Sequence, residues 1–164
     1  MSGTVLFQTP DSLLDGACMY AAAADAVNDR HPEAWFVVNQ LLGMSIELAL
    51  KAYLQRRGYD DRTLRDLGHN HKKLFDEAVE KGLRYTDGRN FRILMHGQHY
   101  KDRLFAYPTI GEFGTIMPWS VRELAHGIIV EVFTDLRGQD ALEASRNAPG
   151  LSIASTYSRP GMVS

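Results

Sequence analysis

Five basic side chains between residues 89 and 103 are the strongest candidates for chemistry in this chain. They follow one another at alternating intervals of three and four residues, which brings side chains to one side of an α-helix: Arg89, Arg92, His96, His99 and Arg103. Arginine donates forked hydrogen bonds to phosphate oxygens. We therefore predict that these residues form an exposed basic face, suited to phosphate groups or to an acidic partner. The alternative is an ordinary solvated helix face that carries the same charges.

The two histidines of the basic face also raise the question of a metal. His96 and His99 are three residues apart, so both imidazoles could reach one cation. Two ligands do not make a site, however, and the neighbouring arginines would repel a divalent ion. We predict no metal here, and the absence of nucleotide-binding or paired-cysteine motifs predicts no cofactor.

A second group of polar residues lies on the longest predicted helix. Gln40, Glu47, Lys51 and Gln55 form a narrow stripe on an otherwise apolar helix, and Glu47 precedes Lys51 in the favourable order for an ion pair one turn apart. One interpretation is a solvated helix edge. The sharper one is a structural polar cluster in which Glu47 and Lys51 meet His69 at the Gly68-His69 turn.

Composition narrows the class of protein. The chain has 164 residues and a formal net charge of −2, which fits one soluble domain and argues against a surface that coats nucleic acid or an anionic membrane. Its only cysteine, Cys18, excludes an internal disulfide framework. No apolar run is long enough to span a bilayer and no signal peptide is visible, so we expect a cytoplasmic protein without membrane association.

Apolar residues recur at helical spacing along most of the chain, and no strand pattern persists. We predict an all-α, up-and-down bundle of four or five helices within residues 1–138, followed by a partly disordered tail over 139–164. The helices are expected near 10–28, 32–57, 71–81, 88–105 and 120–137. Thr9 and Pro10 predict the first helix start, and the sequence from Ser120 to Glu123 predicts a capping box at the last.

The sequence resembles the HEPN superfamily between residues 10 and 138. The similar elements are ELALKAYL at 47–54, the turn-helix GHNHKKLFDEAVEKGL at 68–83 and the later Tyr107-Pro108. Asn70 and His71 replace the Asp-Leu that is usual in this turn, and Ala106 stands where arginine is common. The resemblance implies a helical bundle that is often a homodimer.

The resemblance also implies two functions. Some members are metal-independent endoribonucleases with an Arg-x(4–6)-His motif, which would make Arg89 and His96 catalytic and Arg92, His99 and Arg103 binding residues. A neutral histidine would accept the 2′-hydroxyl proton while arginine stabilises the charge on the phosphate. Other members bind RNA or nucleotides without catalysis. The rival is a non-catalytic helical interaction module that dimerises or docks a partner protein.

Overall fold

The computed structural model describes residues 8–84, 89–102 and 118–146, and these residues form seven α-helices. In chain order they are α1 (Pro10–Arg30), α2 (Trp35–Arg56), α3 (Asp61–Leu67), α4 (His71–Glu80), α5 (Arg89–Lys101), α6 (Pro118–Arg137) and α7 (Gln139–Arg146). These ranges contain no strand, so the prediction of an all-α protein is confirmed. None of their helices is long and apolar enough to cross a membrane.

Three long helices, α1, α2 and α6, pack against one another at the centre. Ion pairs show their directions. Arg57, directly after α2, donates two hydrogen bonds of 2.8 Å to Asp135 near the end of α6, so α2 and α6 run parallel. Arg137 at the end of α6 binds Asp11 and Asp15 in the first turns of α1, so α1 is antiparallel to both.

The core between these helices is apolar and closely packed. The Ala-rich part of α1 lets α2 approach, and the buried hydroxyl of Ser45 donates a hydrogen bond of 2.9 Å to the Ala17 carbonyl across this contact. Completely or almost completely buried residues of the three central helices include Leu14, Ala17, Ala21, Leu42, Ile46, Leu50, Leu124, Ile128 and Val132.

Local signals account for most helix ends. Thr9 and Ser12 exchange hydrogen bonds between side chain and backbone at 3.1 and 2.9 Å, which caps α1 as predicted. Gly58 follows α2 with a φ of 92°, a conformation that favours glycine. The start of α2 differs from the prediction: residues 31–34 form a turn, closed by the Ala34 N–H and the His31 carbonyl at 2.9 Å, and the helix begins only after it.

The segment between α2 and α4 was predicted to be a link, but it contains the helix α3. Asp60 caps α3 by accepting a hydrogen bond of 2.7 Å from the Thr63 N–H, and Leu64 is buried. With seven residues, α3 is too short to show an apolar repeat in the sequence. From the sequence, Asn70 and His69 are both candidates for the cap of α4. Asn70 takes this role by accepting a hydrogen bond from the Lys73 N–H at 3.1 Å.

Helix α5 turns a different side toward the core from the one predicted. Its buried residues Ile93, His96 and Tyr100, together with Gly97, follow the spacing of one helix face. The sequence predicts an inward face of Phe91, Leu94, Met95 and Gln98, opposite the basic residues, but Gln98 is exposed. The inward face of α5 is therefore made largely of residues that hydropathy counts as polar or small.

The predicted capping box at the start of α6 is wrong. The helix begins at Pro118, so Ser120 and Glu123 already lie inside it; proline suits the first helical position and supplies an earlier start signal. Gly138 follows α6 with a φ of 88°, and α7 places Leu142 in the core. The rest of the predicted tail, residues 147–164, lies outside the described residues.

Candidate functional site

A polar cluster centred on Glu47 joins α2, the turn before α4 and the end of α5. Glu47 is 6% exposed, and its carboxylate accepts three hydrogen bonds: from Lys51 Nζ at 2.7 Å, from His69 Nδ1 at 2.9 Å and from Tyr100 Oη at 3.0 Å. We call these four residues the Glu47 cluster. The structure thus brings the predicted residues Glu47, Lys51 and His69 together, and Glu47 does not lie on a solvated edge. Tyr100 was not among the predicted residues.

The backbone explains why these side chains meet. Lys51 follows Glu47 by one helical turn. Gly68 has a φ of 62° and ends α3, so that the chain reverses before His69. Tyr100 packs flat on Gly43 of α2, where a Cβ atom would overlap the tyrosine ring. A glycine at 43 is therefore required for the phenol to reach Glu47.

Two completely buried histidines adjoin the cluster. The rings of His71 and His96 stack with centroids 5.6 Å apart, and Tyr100 stacks on His71 at 4.3 Å. His96 Nε2 donates to the Asn39 carbonyl at 3.1 Å. Burial lowers the pKa of His96 to about 4, and burial together with the neighbouring His96 lowers the pKa of His71 well below its ordinary value. Both imidazoles are therefore neutral at neutral pH.

His96 does not lie on the exposed basic face that the sequence predicted. Gly97 allows α5 to approach α4 on this side, since a Cβ atom at 97 would lie only 3.0 Å from His71 Cβ. The imidazole of His96 is consequently enclosed between helices. A substrate at the surface of the bundle could not reach the His96 imidazole in this structure.

The remaining residues of the basic face are only partly described. Arg92 is half-buried and binds the Glu123 carboxylate and the Ser120 carbonyl, both at 3.3 Å. His99 is half-buried as well. Several predicted positions lie outside the described part of the structure: the side chains of Arg89, Phe91, Leu94 and Met95, and the whole of Arg103, Tyr107, Pro108, the expected helix cap Asp87 and the expected helix end Phe105.

A further charged group, which sequence reasoning missed, joins α1 to α6. Arg122 donates to both oxygens of Asp25 at 2.6 and 3.2 Å, and Nε2 of the buried His126 is 3.4 Å from the same carboxylate. Burial acts to raise the pKa of Asp25, but the nearby His126 imidazole and the hydrogen-bonded Arg122 outweigh it and hold this pKa below its ordinary value. The pair is 97 residues apart, so no local pattern could have indicated it.

A cavity of about 200 Å³ lies near the C-terminal end of α2, between that helix, residues 82–84 and α6. Its carboxylates include Asp135, which is already bound by Arg57; the Arg57 guanidinium also stacks 3.4 Å from the centre of the Tyr53 ring. Within the described ranges no group of three histidine, cysteine or acidic residues could hold a metal ion.

Within the Glu47 cluster, His69 is the residue whose side chain can react with a molecule from solution. An ionised carboxylate only accepts, so His69 Nδ1 carries the proton and Nε2 of the neutral ring carries the lone pair. The His69 side chain is 63% exposed, and because Nδ1 contacts the buried carboxylate, Nε2 lies on the side of the ring that points away from Glu47. Glu47 already accepts three hydrogen bonds and is an orienting group, not a free base.

Comparison with known proteins gave no match to any protein-family model, curated protein or solved structure. The resemblance to HEPN proteins therefore rests on the short motifs of the sequence alone.

Proposed function

We propose that this chain is a non-catalytic, HEPN-like helical interaction module that self-associates through the exposed side of α1. The observation that carries the proposal is the absence of charge along the middle of that side. Between Asp15 and Asp29 the exposed residues of α1 are Met19, Ala23 and Ala26, and Met19 is 65% exposed. A surface helix ordinarily turns polar residues to water.

The ends of this surface are charged with opposite signs. Asp15 and Arg30 flank the apolar residues, and we call the set Asp15, Met19, Ala23, Ala26 and Arg30 the α1 face. Asp15 also pairs with Arg137 of the same chain. The face is therefore acidic at one end, apolar in the middle and basic at the other end.

This arrangement is self-complementary about a two-fold axis. Counted along the chain, Asp15 and Arg30 are equally far from the midpoint of the face, and so are Met19 and Ala26. Two antiparallel copies of α1 would consequently pair Asp15 with Arg30 and set the large Met19 against the small Ala26. Identical surfaces that fit in this way are typical of two-fold dimers.

The burial of His96 supports the interaction module over the endoribonuclease. General acid-base catalysis needs the catalytic group within hydrogen-bonding distance of the reacting proton. His96 is enclosed, uses Nε2 on the Asn39 carbonyl and is neutral, whereas the ribonuclease hypothesis needs it at a phosphodiester. The basic face loses its central histidine in this arrangement.

Light scattering coupled to size-exclusion chromatography tests self-association. We expect a concentration-dependent dimer for the wild type and a monomer for Met19→Glu and Ala23→Glu. Trp119→Glu is the matched control, because Trp119 is another large apolar residue, 63% exposed, on a different helix. A wild type that stays monomeric at high concentration would refute the proposal, as would equal effects of the α1 and control variants.

A charge exchange tests the antiparallel register. Arg30→Asp alone is expected to weaken the dimer, because two acidic residues would then face each other. Combining it with Asp15→Arg should restore association in part, although this change also removes the contact with Arg137. A double variant no better than the single one would contradict this register.

The ribonuclease hypothesis has a test of its own. Wild-type protein incubated with mixed RNA and EDTA is expected to leave the RNA intact. Cleavage that is lost in both Arg89→Ala and His96→Ala would overturn the non-catalytic assignment.

A further inference from the structure

Two exposed histidines of this chain contact a carboxylate through Nδ1, and they differ in how deeply that carboxylate is buried. His31 and Glu33 are 3.1 Å apart, and their side chains are 64% and 73% exposed. His69 and Glu47 are 2.9 Å apart, and their side chains are 63% and 8% exposed. The histidines are thus equally accessible, but only His69 has a buried acceptor.

A buried acceptor changes how the imidazole behaves. In an exposed pair, water competes for both groups and the two side chains remain free to separate. Glu47 is held by Lys51 and Tyr100 and is shielded from water, so its hydrogen bond with His69 Nδ1 is electrostatically stronger and fixed in direction. This hydrogen bond favours the His69 tautomer with the lone pair on Nε2, and it stabilises positive charge that develops on the imidazole ring.

We propose that His69 is a phosphoryl-acceptor histidine that is modified on Nε2 by an energy-rich phosphoryl donor such as an acyl phosphate or a phosphoramidate. The Nε2 lone pair attacks phosphorus, an N–P bond forms, and the bond from phosphorus to the donor's leaving group breaks. With an acyl phosphate the carboxylate leaves with the electron pair. The Nδ1 proton stays between the ring and Glu47, so no further acid or base is required.

The surroundings of His69 suit the charge of the product. It lies two residues before α4, whose first turn contains Lys72 and Lys73 and no acidic residue. Lys72 is bound to Asp76, one turn later, at 2.5 Å. A phosphoryl group on Nε2 would add negative charge beside the start of a helix, where the helix dipole and the Lys73 ammonium are both favourable.

The other histidines near the cluster cannot take this role. His71 and His96 are completely buried, so a donor has no access to them. This inference goes beyond the proposed self-association and does not depend on it, because the modification is read from the adduct and not from the oligomeric state.

The experiment uses the intact chain with acetyl phosphate and, separately, with phosphoramidate. Intact mass and ³¹P NMR follow the N-phosphoryl adduct, and peptide mapping at neutral to alkaline pH assigns it. Within the wild type we expect His69 to be modified at least about tenfold faster than His31, which corresponds to about 1.4 kcal/mol in the barrier. His69→Gln should remove the fast phase, and His31→Gln should leave it unchanged.

Glu47→Gln tests the cause of the difference, with circular dichroism as the check that the helices remain. We expect the rate at His69 to fall to that at His31. Equal rates at the two histidines of the wild-type protein would overturn the proposal without reference to any variant. So would modification that avoids His69, or a fast phase that survives Glu47→Gln in a folded protein.

Discussion

Acidification from about pH 7 to about pH 5 is expected to destabilise the fold through His71 and His96. Both imidazoles are completely buried, and burial lowers the pKa of each in the folded protein. In the unfolded chain both return to an ordinary pKa of ~6.5. Below that pH the unfolded state binds more protons than the folded state, so the free energy of unfolding decreases as the pH falls.

The expected size of the effect follows from the same linkage. A histidine that stays neutral in the folded state and has a pKa of ~6.5 when unfolded lowers the free energy of unfolding by about 2 kcal/mol at pH 5. His96 is still mostly neutral there, since its folded pKa is about 4. His71, whose folded pKa burial also lowers, adds to this loss. The ~2 kcal/mol from His96 alone is already a large part of the ~5–15 kcal/mol that stabilises a typical domain.

Two ion-paired carboxylates, Asp25 and Asp135, affect stability in a lower pH range. The pKa values of Asp25 and Asp135 are held below the ordinary value of 3.8 by their hydrogen-bonded arginines and, for Asp25, by His126, against the opposing effect of burial. Their contribution is present above that value and is lost only as the pH falls below it. The loss expected from His71 and His96 between about pH 6.5 and pH 4 therefore lies above the range in which these two carboxylates act.

Urea denaturation at a series of pH values measures the effect. His96→Gln, whose amide can still donate to the Asn39 carbonyl, should lose the part of the pH dependence that comes from His96, about 2 kcal/mol between pH 7 and pH 5, whatever its stability at neutral pH. His31→Gln is the control, since the His31 side chain is 64% exposed, and it should retain all of it. Stability that does not change between pH 7 and pH 5, or full pH dependence in His96→Gln, would refute the reasoning.

Two further substitutions test the contacts of the Glu47 cluster by urea denaturation. Gly43→Ala places a methyl group against the Tyr100 ring and should cost about 1–3 kcal/mol by overpacking; in a Tyr100→Ala background the cost should shrink, and equal costs would contradict the contact. Glu47→Leu leaves the Lys51 ammonium, 14% exposed, without its acceptor and should cost about 3 kcal/mol. Lys51→Met combined with Glu47→Leu should recover part of that loss, and no recovery would mean that the ion pair is not the cause.

The sequence was sufficient to predict features that depend on neighbouring residues. The caps of α1 and α4 follow from Thr9 and Asn70, and the apolar repeat of α6 follows from its own sequence. The pair of Glu47 and Lys51 was readable because the two residues are one turn apart on the same helix. In each case the interacting groups are close in the chain, so spacing alone determines that they meet.

Features that depend on packing between distant segments were not predictable in this way. The inward face of α5 was misassigned because His96 and Tyr100 score as polar and Gly97 as neutral, although all three are buried against α2 and α4. Their burial is possible only because glycines at 43 and 97 remove the Cβ atoms that would otherwise clash. No hydropathy pattern within α5 contains that information.

The hydrogen bonds of the Glu47 cluster also explain why α4 and α5 pack on α2 in a single register. Apolar contacts are not directional, so burial of Leu74 or Ile93 alone would tolerate a shift of either helix. Glu47 instead needs donors from three segments at once, and a one-residue shift of α5 would withdraw Tyr100 and leave the buried carboxylate short of a partner. The polar contacts thus specify the register of the bundle, and His69 is the one member of the cluster whose side chain is mostly exposed to solvent.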